Sequence, residues 1–390
     1  MLQGIIEEAR RDRPMLSLLR RELHRHPELA FHEYETANVI ERELDGMGIE
    51  HTRIGDTGVL GILRGRDSGR AVALRADIDA LALQEETEAD YRSTVEGVMH
   101  ACGHDAHTTC LLGGARLLQK RREQFHGEIR LLFQPAEEIG GGALEMIDAG
   151  VLQDVDRVFG LHVAPDLPIG TVGLTPGLNN AAVDHFAVRI HGRSAHVSTP
   201  QLGSDALYAA SQLVVAIQGI AARRTSPVEP VVLGIGKLTS GTTYNAVAEY
   251  AELEGTTRTI SPIAREEIRQ RITETAHHIA AISGAEAEVT WTGICSALIN
   301  DRASCNALLN AAESLGLTTI TNRPLSLSGD NFSEFLLQVP GCYAYLGTSN
   351  PDMPGTLAGI HNGHFDLDEE ALPFGAALYT AAALRYLEEI

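Results

Sequence analysis

The sequence predicts an α/β protein, a mostly parallel, doubly wound sheet carrying the chemistry, interrupted by an inserted α+β unit of four strands and two helices. Three observations predict it. Short apolar strands alternate with helical spacing before residue 182 and again after residue 295, the pattern of a parallel sheet covered on both faces. Between those positions the rhythm changes to strand, helix, strand, strand, helix, strand, a self-contained unit. A chain of 390 residues with 44% hydrophobic and 21% charged residues suits two folded domains. The expected division is residues 1–181 with 296–390 as the metal-binding catalytic part, and 182–295 as the insertion.

In order, residues 14–24 and 34–47 have helical apolar spacing, and 58–63 and 71–74 read as short strands. A helix over 107–122, a strand over 128–133, a helix near 142–149 and a strand over 157–161 follow. The insertion places strands near 184–191, 230–237, 248–257 and 286–292, with helices near 203–222 and 262–283. A helix at 304–315, a strand at 342–346 and a terminal helix at 367–387 close the chain. No internal repeat or low-complexity linker interrupts this order.

The net charge of −21 comes from 52 acidic against 31 basic residues, and no lysine or arginine run forms a phosphate-tracking stripe, so nucleic acid is not an expected partner. The amino terminus has no signal-peptide pattern, and no uninterrupted apolar run approaches the roughly 20 residues needed to span a bilayer. Five scattered cysteines, 102, 110, 295, 305 and 342, suit reduced thiols and hence the cytoplasm.

The densest set of potential ligands is His100-Ala101-Cys102-Gly103-His104-Asp105-Ala106-His107. Its glycine lets the backbone turn so that a thiolate and an imidazole face one ion, a donor pair that favours zinc and similar transition metals. A polar loop capping the next helix accounts for the same residues. Glu137 and Glu138 follow an apolar strand that Pro135 must end, where open α/β sheets place their sites. In an extended segment neighbouring side chains diverge, so one carboxylate can bind an ion while the other takes a proton from water. A solvated loop is the alternative. His162 after one apolar strand, His361 before the last helix, and Asp77 and Asp79 after the strand at 71–74 complete the set.

With these residues, the chain resembles the metallo-aminoacylase and carboxypeptidase G-like family, in the branch of hippurate hydrolases, bacterial N-acyl-amino-acid amidohydrolases and plant indole-acetyl-amino-acid hydrolases. The likeness runs through His24-Arg25-His26-Pro27-Glu28-Leu29 and Glu33, Arg75 to Leu81, Met99 to His107, Pro135 to Glu138, Gly160-Leu161-His162, Ser194-Ala195-His196, Asn245, Gly255 to Arg258, and His361 to Asp366. The resemblance implies two divalent ions per subunit (zinc, manganese, cobalt or nickel) held by Cys102, His104, Glu138, His162 and His361, with Cys102 bridging. It implies Glu137 as the base that moves the proton from water to the leaving amine, and Asp79 as a carboxylate orienting a ligand, with Asp77 a second candidate for that role. It further implies a homodimer formed through the insertion, His196 reaching a neighbouring subunit's site to stabilise the oxyanion, and Asn245 and Arg258 holding the substrate's polar groups.

The implied reaction is hydrolysis of the amide of a small N-acyl amino acid. A dipeptidase or carboxypeptidase with the same ions is the alternative within enzymes, and a non-catalytic metal- or ligand-binding relative the alternative outside them. Two departures bear on substrate. Relatives usually read Gly-Ser-Glu-Asp-Phe where this chain has Ser328-Gly329-Asp330-Asn331-Phe332, and His-Asn-Pro where it has His361-Asn362-Gly363. Both are expected at the rim of the site.

Overall fold

The computed structural model describes residues 4–388, which divide into two compact units. The first runs to Gly177, resumes over Ile299–Pro324 and again from Asn331; the second comprises Leu178–Leu298 and Leu325–Asp330.

The first unit opens with α1 (Ile5–Arg25) and α2 (Tyr34–Met47). Helix α1 begins nine residues before its predicted start and carries Pro14 inside it. Ile5, Ala9, Leu16, Leu19 and Leu23 form its buried stripe, and that burial outweighs the backbone hydrogen bond the proline removes. Next come β1 (Glu50–Ile54), β2 (Gly58–Arg64), β3 (Ala71–Asp77), α3 (His104–Gln119), β4 (Glu128–Gln134), α4 (Gly142–Asp148), β5 (Arg157–Pro168) and β6 (Thr171–Gly173). The short β7 (Gly177–Asn180) leads into the second unit's β8 (Ala182–His191), α5 (Ala206–Gly219), β9 (Val231–Ser240), β10 (Tyr250–Thr259), α6 (Pro262–Ile282) and β11 (Glu286–Cys295). The chain returns through β12 (Leu298–Asn300), α7 (Arg302–Ser314), β13 (Thr318–Ile320), α8 (Phe332–Leu336), β14 (Gly341–Ser349) and α9 (Leu372–Glu388).

The central sheet has the order β1-β2-β4-β3-β5-β14-β6-β13. Its middle is parallel, with β4, β3, β5 and β14 aligned, while β1 and β2 pair antiparallel at one end and β6 runs against β14. Every residue of β3 is buried, as expected of a strand covered on both faces. Strands β1, β6 and β13 carry no clear apolar run and were not expected. Two bounds matter for the site. Helix α3 starts at His104, three residues earlier than its spacing predicts, and β5 continues to Pro168, so His162 lies within the strand instead of after it.

In the second unit the antiparallel order is β11-β8-β10-β9, with the strand and helix succession expected. One sheet face supplies Phe186, Val188, Ile190 and Leu253 to a core shared with Leu213 and Ile217 of α5 and Ile268 and Ile272 of α6. By length and composition alone, the helical stretch Ala206–Arg224 is apolar enough to cross a membrane, with 33% of it buried. Its inward residues Ala206, Ala209, Ala210, Leu213 and Ile217 are this unit's core.

Candidate metal centre

The parallel strands deliver their polar residues to one edge of the first unit's sheet. Strand β3 ends at Asp77 with Asp79 just beyond, β4 ends at Gln134 ahead of Glu137 and Glu138, and β5 carries His162. Gly103 adopts φ 84°, and a Cβ there would lie 2.5 Å from Val163 Cγ2. The left-handed turn and the close approach to β5 both require glycine. It ends the Cys102 loop and starts α3 at once, setting His104 beside the thiol.

Glu137 and Glu138 occupy a turn closed by the Gly140 N–H on the Glu137 carbonyl, not the extended segment expected. Ala136 before them sits at φ 51°, and its N–H donates to Glu33 Oε1 at 2.8 Å. The Asn331 N–H donates to Glu137 Oε1 at 3.1 Å. His361, also left-handed at φ 57°, is tied by its N–H to the Ala101 carbonyl at 2.8 Å.

Candidate donor atoms of Cys102, His104 and His162 lie within 4.8 Å of one another, as do those of Cys102, Glu138 and His361, and those of His104, Glu137 and Glu138. Cys102 Sγ is 3.4 Å from His162 Nε2, and Glu138 Oε1 is 3.3 Å from His361 Nε2 and 3.9 Å from His104 Nε2. Asp77, His104 and His107 form a fourth such group, so Cys102 belongs to two groups and His104 to three; a thiolate placed in two groups is where two ions would share it.

Hydrogen-bond partners assign the imidazoles. His104 Nδ1 faces Asp79 Oδ1 at 3.2 Å and so donates to it, which leaves Nε2 as the lone pair. That Nε2 is buried with no hydrogen-bond partner. His162 Nδ1 donates to the Val163 carbonyl at 2.7 Å, turning its Nε2 lone pair toward the thiol. His107 has neither nitrogen to offer. Its Nδ1 meets Asp77 Oδ1 at 2.5 Å and its Nε2 accepts the Val163 N–H at 2.9 Å. The third histidine of the motif is a strut between β3 and β5. Asp79 spans the centre, since its other oxygen accepts the Glu138 N–H at 3.0 Å.

The electrostatics fit divalent cations. Burial and then the Glu138 carboxylate push the Cys102 thiol well above its ordinary range, so the thiolate needs a positive neighbour. Burial lowers His162 well below its usual value, with His107 adding to it, which keeps it neutral as a ligand must be. At His104 burial opposes the cationic form, yet Asp77 and Cys102 outweigh it and raise the pKa well above normal. Positive charge is favoured where two ions are expected.

In the second unit the 195–197 and 245–247 segments pair through the Val247 N–H on Ala195 O and the Val197 N–H on Asn245 O, bringing His196 beside Asn245. His196 Nδ1 accepts from the Ser198 N–H at 3.1 Å and lies 2.7 Å from its hydroxyl, so its Nε2 carries the proton. Arg258 is on β10, a different part of that unit; burial lowers its pKa, and no hydrogen bond or ion pair engages it among the described residues.

The expectation that Asn331 lies at the rim needs correction. Asn331 is fully buried; its Oδ1 accepts from Arg75 Nη2 at 3.1 Å and Gln134 Nε2 at 2.9 Å. Gly363 packs under a neighbouring segment, with the Glu86 N–H on its carbonyl at 2.7 Å and Gln84 O 2.7 Å from where a Cβ would sit. Sequence reasoning gave no role to Asn331 or Arg75 in holding Glu137. An arginine inside the apolar run Ala71-Val72-Ala73-Leu74-Arg75-Ala76 was the available signal, because an interior strand buries such a residue only with partners.

The profile of Peptidase family M20/M25/M40 matches residues 73–385. The chain is 39% identical to N-acetylcysteine deacetylase of Bacillus subtilis, over 95% of this chain and 97% of that one. It is 38% identical to thermostable carboxypeptidase 1 of Saccharolobus solfataricus, over 94% of each. The crystal structure of the Bacillus subtilis YXEP protein, a dinuclear metal binding peptidase from the M20 family, superposes with a TM-score of 0.83 at 37% identity, covering 98% of this chain and 100% of that one.

Proposed function

The chain belongs to peptidase family M20/M25/M40 and is a metal-dependent amidohydrolase with a site for two divalent ions; from that premise, we propose that it removes the acyl group from a small N-acyl amino acid and that Glu137 is its general base. The observation that carries this reading is the Glu137 carboxylate, held by the Asn331 N–H beside two ligand groups that share Cys102.

Cys102, His104 and His162 would hold one ion, and Cys102, Glu138 and His361 the other. When bound, the ions polarise the amide carbonyl and lower the pKa of water toward neutrality. Glu137 takes a proton from the attacking water as its oxygen bonds to the acyl carbon. It then delivers that proton to the nitrogen as the C–N bond breaks, releasing a carboxylic acid and a free amino acid. Asp79 keeps His104 in the tautomer with Nε2 unprotonated and fixes the Glu138 backbone, so one carboxylate orients two ligands.

Arg258 is the proposed partner of the amino-acid carboxylate, supported by its half-buried, unpaired guanidinium. His196 is assigned to the oxyanion of a neighbouring subunit in a homodimer; its outward Nε2–H is the donor this role requires, and Asn245 beside it is assigned to the substrate's polar groups. Zinc, manganese, cobalt and nickel all suit the donor set, and elemental analysis of purified protein distinguishes them. Five buried cysteines, none in a disulfide among the described residues, support a reducing compartment, and thus the cytoplasm.

The test combines turnover of acetyl, benzoyl, indole-acetyl and dipeptide substrates with the Glu137→Gln variant. N-acyl amino acids are expected to be hydrolysed, and Glu137→Gln to lose turnover while retaining its metal. Hydrolysis of free-amine dipeptides alone would favour the carboxypeptidase reading that the Saccharolobus relative supports, and an active Glu137→Gln would remove Glu137 as the base.

A further inference from the structure

Behind the ligand loops lies a buried charge cluster that the proposed reaction does not use. Arg20 of α1 is completely buried. Its Nε donates to Asp105 Oδ2 at 3.0 Å, its Nη2 to Asp366 Oδ1 at 3.0 Å, and its Nη1 to Glu369 Oε1 at 3.5 Å. Asp105 follows the ligand His104 at the start of α3, and Asp366 closes the loop that carries His361. Each carboxylate has a second donor of its own: His24 Nδ1 lies 2.8 Å from Asp105 Oδ2, and the Tyr91 hydroxyl donates to Asp366 Oδ2 at 2.8 Å. Among the described residues, Arg20 alone bonds to both.

We propose that Arg20 is a positioning residue for the dinuclear centre, a fork that sets the span between the His104 and His361 ligand groups. The inference rests on the two-ion reading above. Through Asp105 it fixes the helix start that aims His104; through Asp366 it fixes the loop that presents His361. The two ends are unequally secured. His104 is buried and oriented by Asp79, whereas the His361 side chain is 50% exposed on a left-handed residue. Loosening the fork therefore weakens the Cys102–Glu138–His361 position first. Lysine at position 20 keeps the positive charge but presents a single ammonium where the guanidinium spreads its donors over a rigid fork.

The experiment titrates metal-free enzyme with Mn2+ against a chelator, and separately records the absorption spectrum on adding Co2+, for wild type, Arg20→Lys and Asp366→Asn. The second variant removes the charge from the arm to the His361 loop, altering the Tyr91 contact with it, and serves if Arg20→Lys does not fold. Wild type is expected to bind two equivalents. In either variant the first should bind within about twofold of wild type and the second about 10- to 100-fold more weakly, the scale for losing a group that orients a ligand. The Co2+ bands of the second equivalent should change, and excess Mn2+ should restore kcat with KM unchanged. Two equivalents bound at wild-type affinity by both folded variants would overturn the proposal. So would equal weakening of both equivalents in step with a lower Tm, the mark of a merely structural arginine. Fewer than two equivalents in wild type would instead refute the dinuclear reading itself.

Discussion

Replacing Gly103 by alanine tests the local geometry on which the metal centre depends. At φ 84° a Cβ meets the following carbonyl, which costs roughly 1–2 kcal/mol for an L-residue. The same Cβ would lie 2.5 Å from Val163 Cγ2, inside carbon–carbon contact, and relieving such overpacking typically costs about 1–3 kcal/mol. The sum, about 2–5 kcal/mol, is a large part of a domain's stability. Guanidinium unfolding of metal-free Gly103→Ala, Val163→Ala and the double variant separates the terms. Val163→Ala alone should destabilise by opening a cavity, yet in the Gly103→Ala background part of that loss should be recovered, giving a coupling of about 1–3 kcal/mol. Metal affinity should fall in Gly103→Ala, because the added methyl pushes the Cys102–His104 turn away from His162. A loss under about 0.5 kcal/mol, or strict additivity with Val163→Ala, would refute this account of the glycine.

His24 gives a pH signature. Burial opposes its protonation, but Asp105 outweighs burial and raises its pKa from 6.5 to about 9. The stabilisation is thus complete below pH 6.5 and disappears as pH rises through about 9, a change of about 3 kcal/mol. Metal-free wild type should lose that much more stability than His24→Gln across the window, and parallel stability curves would contradict the assignment. Arg258→Met should raise KM for an N-acyl amino acid by about 10-fold or more, the loss of a charged hydrogen bond, while leaving KM for the corresponding N-acyl amide unchanged; equal effects on both substrates would exclude carboxylate recognition. Mixing inactive Glu137→Gln with inactive His196→Ala under subunit exchange should regenerate turnover if His196 serves a neighbouring subunit, and no recovery would place its action within one chain.

Local periodicity made the succession of strands and helices legible, because the spacing in β3, β4, β5, α5 and α6 follows directly from which face each element buries; the return of 325–330 to the second unit left no such signal. The cysteine–glycine–histidine spacing was legible because a left-handed glycine turns its own neighbours locally, although its packing against Val163 of β5 was not. What could not be read depends on partners far along the chain. His107 looks like a ligand until Asp77 and the Val163 N–H occupy its two nitrogens. The Glu137–Glu138 turn needs Glu33, in the connection just before α2, to accept the Ala136 N–H, a contact across 103 residues. Arg20 sits in a helix whose charge pattern resembles a solvated face, and it is Asp105, Tyr91 and the returning 366–369 segment, all distant in sequence, that cover it. Helix α1 itself started earlier than Pro14 suggested because its burial stripe is set by tertiary packing, not by propensity.

Asn331 shows how one such distant partner bears on the chemistry. Its neutral amide oxygen accepts from Arg75 Nη2 at 3.1 Å, while Arg75 Nη1 donates to Asp77 Oδ2 at 2.6 Å. Although burial opposes ionisation of Asp77, Arg75, followed by His104 and His107, holds its pKa well below the usual value. An anionic Asp77 keeps the proton on His107 Nδ1, so that His107 Nε2 remains the acceptor for the Val163 N–H. That bond fixes β5 at the residue after His162, and the His162 ring is fixed in turn by its own Nδ1 on the Val163 carbonyl. The same amide's backbone N–H holds Glu137. Asn331 therefore orders His162, a proposed metal ligand, through Arg75, Asp77 and His107 and the proposed base through its own backbone; its place is in the buried scaffold of the candidate site and not at its rim.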